Sequence, residues 1–412
     1  MSAVSEVILV GIDWADKVHA FEAVDPNGKR QSGTFNQSQA DIAQWIDSWH
    51  RRFPNARILI CVEATRGALI NALMEYTNVT IYPVNPAALA SYRKSFKHGG
   101  GKNDGVDAKL ILKYLQNYRD ELRSLLPNSP ATRELEALTM HRRSLVDERV
   151  ALGNRMVALL KCYFPTIIEL NPAYIHAKYV LCLLRRYPTL EKVQAAGRAK
   201  LRKLFFATGT KAMLEARIET LMTAKPITSD SIVLETNARL CQCFAAQIEL
   251  LSKVINGYDA EIEKKVCQHV DYAIVKDLPG AGVKSCARII ASLGDDRQRY
   301  RSVDGFQAAA GIAPLTIQSG NSLKVAARWA ATKYIKQTFH EYSGLSIKKC
   351  GWAKAYYELQ LSRGKTPQMA KRSLAFKWIR IIYSCWQNHQ PYNEVHYLNR
   401  LQLTHSPLAQ AT

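Results

Sequence analysis

Two features that would point to a membrane or to a zinc site are missing from the 412 residues of this sequence. No run approaches the roughly 18 apolar residues of a membrane-spanning helix, and the N-terminus has no charged segment followed by an apolar one. The nine cysteines are scattered, and Cys241 and Cys243, the closest two, are separated by one residue instead of the roughly two to four of a zinc knuckle. We therefore expect a cytoplasmic protein without membrane contact, with reduced and buried thiols.

Acidic residues are scarce toward the C-terminus. Residues 301–390 contain 14 Lys or Arg against 3 Asp or Glu, whereas residues 1–90 contain 7 against 9. The formal charge of +21 indicates a polyanionic partner, nucleic acid before membrane, because no basic amphipathic anchor is present. With 47% hydrophobic residues, a chain of this length predicts two or three globular domains, and the C-terminal part is expected to bind the polyanion.

The N-terminal part shows the pattern of an α/β domain. Short β-branched runs predict strands at 7–12, 18–24, 31–35, 57–62 and 79–84, the first three as an antiparallel meander, with helices at 38–50, 67–76 and 86–96. Asp13 follows the first strand and Glu63 follows the fourth. Open α/β sheets place their chemistry at strand ends, so both acids are candidate site residues.

A second pair of acids opens a helix after a Gly-rich basic segment at residues 97–102. Asp104 and Asp107 are three residues apart and therefore share one helix face. One interpretation is capping, in which Asp104 starts the helix and Asp107 complements its dipole. The other is that they join Asp13 and Glu63 in holding two divalent cations, magnesium or manganese, which stabilise the attacking and leaving oxygens of a phosphodiester.

From residue 126 to residue 268 the pattern changes to long helices rich in Leu, Glu, Arg and Ala. The helices predicted at 132–160 and 237–266 are long enough to pair as an extended hairpin or to zip with another subunit, and a shorter helical insert broken by prolines lies between them. We divide the chain into an α/β domain at 1–125, a helical coiled-coil domain at 126–268, a mostly helical basic domain at 269–392 and a tail at 393–412.

The basic domain begins with a P-G-x-G turn at residues 279–282. Such a turn before a helix is either a plain inter-helix turn or a helix-hairpin-helix clasp, whose backbone N–H groups face a DNA phosphate. Several aromatic residues that follow at helical spacing are expected in the core. The candidate nucleic-acid contacts of the chain are Lys102, Gly280, Gly282, Lys284, Arg328, Lys371, Arg372, Lys377 and Arg380.

A Ser-Gly-Asn-Ser segment at residues 319–322 lies within this basic region. Most Ser-Gly pairs are simply turns. A serine hydroxyl here can also act as a nucleophile toward a phosphate, provided that a neighbouring group lowers its proton affinity. The residues alone leave both interpretations open.

Seven short motifs together resemble one known family. They are Gly-Ile-Asp-Trp-Ala at 11–15, Val-Glu-Ala-Thr at 62–65, Asn-Pro at 85–86, Lys-Asn-Asp-Gly-Val-Asp-Ala-Lys at 102–109, Leu-Pro-Gly-Ala-Gly at 278–282, Ala-Gly-Ile-Ala-Pro at 310–314 and Gln-Ser-Gly at 318–320. In this order, and over almost its whole length, the chain resembles the DEDD-tetrad insertion-sequence transposases, the group that includes the Piv-like invertases.

The resemblance implies a fold and a set of roles. The N-terminal domain would be RNase H-like, of the RuvC type found in Holliday-junction resolvases. Its magnesium-binding tetrad would be Asp13, Glu63, Asp104 and Asp107, and Ser319 would be the nucleophile that forms a covalent link to a DNA phosphate. Members of the family use a non-coding RNA from the element's own end and act as oligomers, so a guide RNA and a homo-oligomer, dimer or tetramer, are implied here.

After Gly320 the sequence departs from the family, because the usual basic Lys-Arg-Gly stretch is replaced by Asn-Ser-Leu-Lys-Val-Ala-Ala-Arg-Trp at 321–329. Ser322 is therefore a second candidate nucleophile. We predict a transposase or site-specific recombinase that cuts and rejoins double-stranded DNA at element ends and target, in the bacterial cytoplasm and on the nucleoid. The alternatives are a structure-specific endonuclease, which has no use for Ser319, and a non-catalytic nucleic-acid-binding protein.

Overall fold

The computed structural model describes residues 6–95, 104–170, 175–210, 213–300, 302–320, 322–326, 328, 331–404 and 408, with the backbone alone at 104–106, 319 and 323. The chain divides into two compact units. Unit 1 comprises Met1–Ser129 and Asp295–Arg301, and unit 2 comprises Pro130–Gly294 and Ser302–Thr412. Within the described ranges, no helix is both long enough and apolar enough to span a bilayer.

Unit 1 is built on a five-stranded sheet of β1 (Val7–Asp13), β2 (Val18–Val24), β3 (Arg30–Asn36), β4 (Arg57–Val62) and β5 (Val79–Pro83), in the order β3-β2-β1-β4-β5. The first three strands form the predicted antiparallel meander. The turn between β2 and β3 is closed by the carboxylate of Asp25, which accepts the backbone N–H groups of Asn27 and Lys29. β4 then pairs parallel to β1, and β5 pairs parallel to β4.

Two helical layers cover this sheet. α1 (Gln39–Arg52) and α2 (Ala68–Leu73) pack on one face, where Ile8, Val10 and Ile12 of β1 are fully buried. The other face is covered by α3 (Pro86–Lys94) and α4 (Asp104–Tyr118), against Leu59 and Cys61 of β4. Consecutive residues of β1 and β4 therefore point into different cores. This is why these two strands are apolar at nearly every position.

Unit 2 begins with a helical bundle of α5 (Pro130–Tyr163), α6 (Thr166–Leu170), α7 (Lys178–Arg186), α8 (Leu190–Ala207), α9 (Leu214–Thr223) and α10 (Ser231–Cys267). The two long helices run antiparallel, because contacts near the start of α5 reach the end of α10 and later contacts reach earlier residues. Glu134 pairs with Lys265, and Arg149 donates to Ser252. The structure therefore shows the predicted extended hairpin, and α6 to α9 share one core with it.

The rest of unit 2 consists of α11 (Tyr272–Val275), α12 (Val283–Leu293), α13 (Val303–Ala309), β6 (Leu315–Ser319), β7 (Ser322–Ala326), α14 (Lys333–Ser346), α15 (Gly351–Ser362), α16 (Pro367–Gln387) and α17 (Glu394–Leu403). Its core is aromatic: Phe339, Tyr342, Trp352, Trp378 and Trp386 are almost completely buried. The predicted burial of several aromatic side chains is thereby confirmed.

Three predictions differ from the structure. The region predicted to be mostly helical contains a β-hairpin, β6–β7. The predicted tail from residue 393 instead forms α17, whose first turn is capped by the side chain of Asn393. All nine cysteines are free, but Cys162, Cys243 and Cys267 are exposed, so the prediction of buried thiols is wrong for these three.

Candidate active site and nucleic-acid contacts

The carboxyl ends of β1 and β4 bring the first two candidate acids to neighbouring positions. The parallel register pairs Ile12 of β1 with Val62 of β4, so Asp13 and Glu63 are the next residues along these two strands. Neighbouring strands of a sheet lie roughly 4.8 Å apart. Side chains alternate between the two faces, and Ile12 and Val62 belong to the core under α1 and α2. By this alternation Asp13 and Glu63 belong to the face that α3 and α4 cover.

α4 lies directly on β1 because Gly11 has no side chain. A Cβ at Gly11 would lie 2.3 Å from the backbone nitrogen of Leu112 and 2.4 Å from the carbonyl oxygen of Ala108. Glycine is therefore needed for the two backbones to approach this closely. The contact holds the first turns of α4 against the strand and places Asp107, one residue before Ala108, beside the end of β1.

Asp107 forms an ion pair with Arg93 in the last turn of α3, and 2.7 Å separates the guanidinium Nη2 from the carboxylate Oδ1. Burial raises the pKa of Glu63 above its usual value; the charge of Arg93 lowers that pKa, and the charge of Asp107 raises it further. Glu63, Arg93 and Asp107 are thus within electrostatic reach of one another. Asp104 is the first residue of α4, one turn before Asp107.

The acidic edge is defined by Asp13, Glu63 and Asp107, whose carboxylates could hold a divalent cation such as magnesium or manganese. Carboxylate oxygens are the hard ligands that these cations prefer. The raised pKa of Glu63 reflects burial and the repulsion of Asp107, which Arg93 does not fully offset, and a divalent cation would relieve both. Among the described residues, which leave out the side chain of Asp104, no group of three or more His, Cys, Asp or Glu is arranged to hold a metal ion.

Two residues of this region were missed in the sequence. Gly11 carried a signal, since an isolated glycine in a strand pattern marks the close approach of another backbone. Arg93 carried none, because a base in the last turn of a helix is ordinarily a partner for the helix dipole. Only the packing of α3 beside α4 shows that Arg93 is the counter-ion of Asp107.

The two candidate nucleophiles lie in unit 2 at the tip of the β6–β7 hairpin. The antiparallel register places Ser319 opposite Ser322, with two residues between them. Gly320 has a φ of +55°, the left-handed conformation that a tight hairpin turn requires. The side chain of Ser322 is exposed. The segment therefore forms a turn, and the side chain of Ser322 at its end is open to a ligand.

Arg372 of α16 anchors the chain that leads into β6. Its Nε donates to the carbonyl of Ile312 at 3.0 Å, and its Nη2 lies 3.4 Å from the carbonyls of Gly311 and Ala313. Burial lowers the pKa of Arg372. Arg372 was predicted to contact nucleic acid, but these contacts give it an internal role. It supports the β6–β7 hairpin that carries Ser319 and Ser322, the serine hairpin.

Two other predicted contacts have acidic partners. Lys284 forms an ion pair with Asp259 at 2.6 Å, and Arg380 forms one with Asp304 at 3.0 Å. The side chains of Lys284 and Arg380 are each about half exposed, 52% in both cases. Each base therefore faces solvent while sharing its charge with one carboxylate.

The remaining basic candidates are more enclosed. Lys377 lies over the ring of Tyr356, with its Nζ 5.1 Å from the ring centre, and burial followed by the charge of Arg380 lowers the pKa of Lys377. Lys371 and Arg328 are half-buried. Lys102 lies outside the described residues.

The two glycines of the P-G-x-G turn, Gly280 and Gly282, have different surroundings. Gly280 has a φ of +77°, and a Cβ there would lie 2.8 Å from the carbonyl oxygen of Leu345 at the end of α14. Gly282 is the N-cap of α12, where a Cβ would meet nothing within 4 Å. Packing within unit 2 thus explains Gly280, whereas the start of α12 at Gly282 is the part that matches a phosphate clasp.

Two segments of the chain match families of transposases. Residues 10–165 match the family described as Transposase, and residues 272–358 match the family described as Transposase IS116/IS110/IS902 family. The first segment covers the sheet, the acidic edge and α5, and the second covers the P-G-x-G turn and the serine hairpin. Together they span more than half of the chain.

Relatives that match most of the chain are proteins of insertion elements. The mini-circle transposase for IS117 of Streptomyces coelicolor is 24% identical over 99% of both chains. The 44.8 kDa protein of insertion element IS116 from Streptomyces clavuligerus is 24% identical over 93% of this chain and 96% of its own length. The 42 kDa protein of insertion element IS900 from Mycobacterium paratuberculosis is 25% identical over 74% and 75%.

The α/β unit with its acidic edge and the basic helical unit are therefore parts of a DNA transposase. The chain belongs to the IS110/IS116 family of insertion-sequence transposases, and the resemblance seen in its seven motifs is confirmed.

Proposed function

We propose that this transposase cuts and rejoins DNA strands at insertion-sequence ends and target by means of an RNase H-like, RuvC-type acid site and a serine nucleophile. The observation that carries the proposal is the acidic edge, to which the pairing of β1 with β4 and the packing of α4 on β1 bring Asp13, Glu63 and Asp107 from three separate segments. The strand order β3-β2-β1-β4-β5, an antiparallel meander followed by two parallel strands, supports the RNase H-like assignment.

The tetrad of Asp13, Glu63, Asp104 and Asp107 is proposed to hold magnesium or manganese. When bound, the cations stabilise the charge that develops on the attacking and leaving oxygens of the phosphodiester. The protein's own contribution is positional: the parallel pairing of β1 with β4 sets the first two acids, and the Gly11 contact sets the helix that carries the other two.

Ser319 is proposed as the nucleophile of strand exchange. Its Oγ attacks phosphorus as the hydroxyl proton passes to a base, the bond from phosphorus to the leaving sugar oxygen breaks, and that oxygen takes up a proton. A hydroxyl of a second DNA strand then attacks the same phosphorus and releases the serine, so the number of phosphodiester bonds is conserved. The hairpin supports this role because a two-residue turn places Ser319 at its tip.

Denaturant trapping of covalent protein–DNA adducts tests the nucleophile. Wild-type protein should yield DNA-linked protein, and Ser319→Ala should lose the adduct while it retains DNA and metal binding. Ser322→Ala, on the opposite strand of the same turn, is the matched control. An adduct that persists in Ser319→Ala and vanishes in Ser322→Ala would assign the role to Ser322. Absence of an adduct in the wild type would favour attack by water, the reaction of a structure-specific endonuclease.

A non-coding guide RNA and assembly as a dimer or tetramer are proposed from the family resemblance. The formal charge of +21 supports a polyanionic partner, as a nucleic acid is. Sequencing of the RNA and DNA that co-purify with the protein, together with the mass of the particle in solution, tests both points. Recombination of the element by RNA-free protein would exclude the guide.

A further inference from the structure

A cavity of about 1010 Å³ lies between α16 and α17 in unit 2. It is lined by the C-terminal half of α16, by the turn at residues 388–393 and by one face of α17. Sites that enclose a small organic ligand have volumes of roughly 300–1,000 Å³, so this cavity is large enough for a ligand. None of its lining residues belongs to the acidic edge or to the serine hairpin.

The lining of this cavity is cationic. Lys377, Arg380 and Arg400 contribute to it, and none of the fifteen described lining residues is Asp or Glu. Arg380 has an acidic partner outside the lining, Asp304, which is itself 74% exposed. Lys377 is held over Tyr356, and burial together with the charge of Arg380 disfavours its ammonium form. Several cations that line one cavity without a lining acid are the surroundings that a phosphate group favours.

The cavity also offers an aromatic floor and polar groups. The ring of Tyr397 is half-buried and lies 4.7 Å from that of Trp352, which fixes its position. Tyr392 is fixed in turn by a hydrogen bond of 2.9 Å from the indole Nε1 of Trp352 to its hydroxyl. Gln390 and His396 add side chains whose amide and imidazole groups can donate and accept hydrogen bonds. Proteins that bind unpaired nucleic acid combine backbone-binding cations with fixed aromatic rings that contact the bases.

We propose that this cavity binds an unpaired segment of nucleic acid, with its phosphates at Lys377, Arg380 and Arg400 and a base against Tyr397. A duplex does not fit this chemistry, because its bases are stacked and paired. The inference rests on the proposed function, since strand exchange and an RNA partner both provide unpaired segments. It assigns Lys377 and Arg380, which were predicted from the sequence as nucleic-acid contacts, to a single strand.

Fluorescence anisotropy with short labelled oligothymidylate and oligouridylate, against a blunt duplex of the same length, tests the proposal on the full-length protein. The Lys377→Gln/Arg400→Gln variant should weaken binding of the single strands far more than binding of the duplex. The slope of log affinity against log salt should fall by about 0.7 for each single-strand phosphate that the variant no longer neutralises, or about 1.4 for the pair. A preference for one of the two oligomers identifies the source as RNA or DNA.

Two controls make the outcome decisive. Lys354→Gln removes one charge from α15, where the side chain is 63% exposed outside the cavity, and should leave single-strand affinity unchanged. Lys377→Arg/Arg400→Lys keeps the charges and should restore the affinity if the double variant has lost only cations. Photocrosslinking of 4-thiouridine or 5-iododeoxyuridine oligomers should map to Tyr397 by mass spectrometry.

Equal losses for single strand and duplex, or a crosslink elsewhere, would overturn the cavity assignment. Neither result affects the adduct assay for Ser319, so failure of this inference is distinguishable from failure of the proposed function. Conversely, a protein that binds single strands at this cavity but forms no adduct would retain the inference and lose the proposed strand-exchange chemistry.

Discussion

The acidic edge of unit 1 and the basic residues of unit 2 differ in how their charged side chains are paired. At the acidic edge, Glu63 and Asp107 come from different segments, and both lie within electrostatic reach of Arg93. In unit 2, several bases that composition marked as binding residues already have internal partners: Lys284 has Asp259, and Arg372 has backbone carbonyls. Like charges that the fold brings together require a ligand, whereas matched charges support the fold. An excess of one charge in the sequence therefore locates a region, and only the packing identifies the residues.

The largest effect is expected at the acidic edge itself. Asp107→Asn keeps the shape of the side chain but removes its charge, so recombination should be abolished while the protein still folds and retains DNA. A recombination assay with the element's own ends measures this, and thermal unfolding checks the fold. Asp47→Asn, which removes an exposed acid of α1, is the control. Near wild-type recombination by Asp107→Asn would remove Asp107 from the tetrad.

The second largest effect is expected at Gly11, where the backbones of α4 and β1 are in contact. Gly11→Ala should destabilise the protein by about 3 kcal/mol, because the new methyl group would overlap backbone atoms of Ala108 and Leu112 that have no rotamer to change. Denaturant unfolding measures this loss. Gly257→Ala, where a Cβ meets nothing within 4 Å in α10, should instead stabilise the protein by about 0.5–1 kcal/mol. A neutral Gly11→Ala would mean that α4 is not fixed by β1.

Arg93 tests whether the acidic edge lacks positive charge. In the absence of metal, Arg93→Gln should lower the unfolding temperature, because Asp107 loses its counter-ion. The same variant should bind Mn²⁺ more tightly, roughly fivefold if the displaced ion pair is worth about 1 kcal/mol. Calorimetric titration measures the affinity without any need for catalysis. Arg51→Gln, an exposed base of α1, should change neither quantity, and weaker Mn²⁺ binding by Arg93→Gln would show that Arg93 supports the metal site.

The smallest effect is expected at the ion pairs that Glu341 forms in unit 2. Glu341 of α14 accepts hydrogen bonds from Arg288 at 2.5 Å and from Arg143 at 3.0 Å. Burial raises the pKa of Glu341, but the hydrogen bond and charge of Arg288 and the charge of Arg143 outweigh it, so the pKa lies below 4.5. The carboxylate therefore stabilises the fold above its unfolded pKa, and this contribution is lost as the pH falls through the folded pKa.

Glu341→Gln should reduce stability near neutral pH by about 1 kcal/mol, a modest value because the carboxylate is partly exposed. The variant should also lose less stability than the wild type below pH 4.5, the usual value of the carboxyl. Urea unfolding across the acid range measures both differences. Glu358→Gln, whose exposed carboxylate lies 3.9 Å from Lys354, is the control. Parallel pH profiles for Glu341→Gln and wild type would show that the network adds nothing.

Much of unit 1 could be predicted because its signals are local. The turn at Asp25 and the short β-branched apolar runs depend on neighbouring residues, and the five predicted strands match the observed ones closely. The β6–β7 hairpin was missed because its strands are short and partly exposed, with Ile317 and Val325 open to solvent. α17 was missed because its apolar spacing is weak, and burial of Leu401 against the rest of unit 2 is a tertiary contact.

The sequence by itself determined the class of the protein, the position of acids at strand ends and the basic character of the C-terminal half, because these depend on residue type and short spacing. The tertiary structure alone decided which partner each charged side chain has. Arg93 meets Asp107 because α3 packs beside α4, and Arg372 reaches the chain before β6 because α16 lies beneath it. Such pairings join residues that are far apart in the chain, and a side chain's partner is fixed by the packing of the elements that carry it.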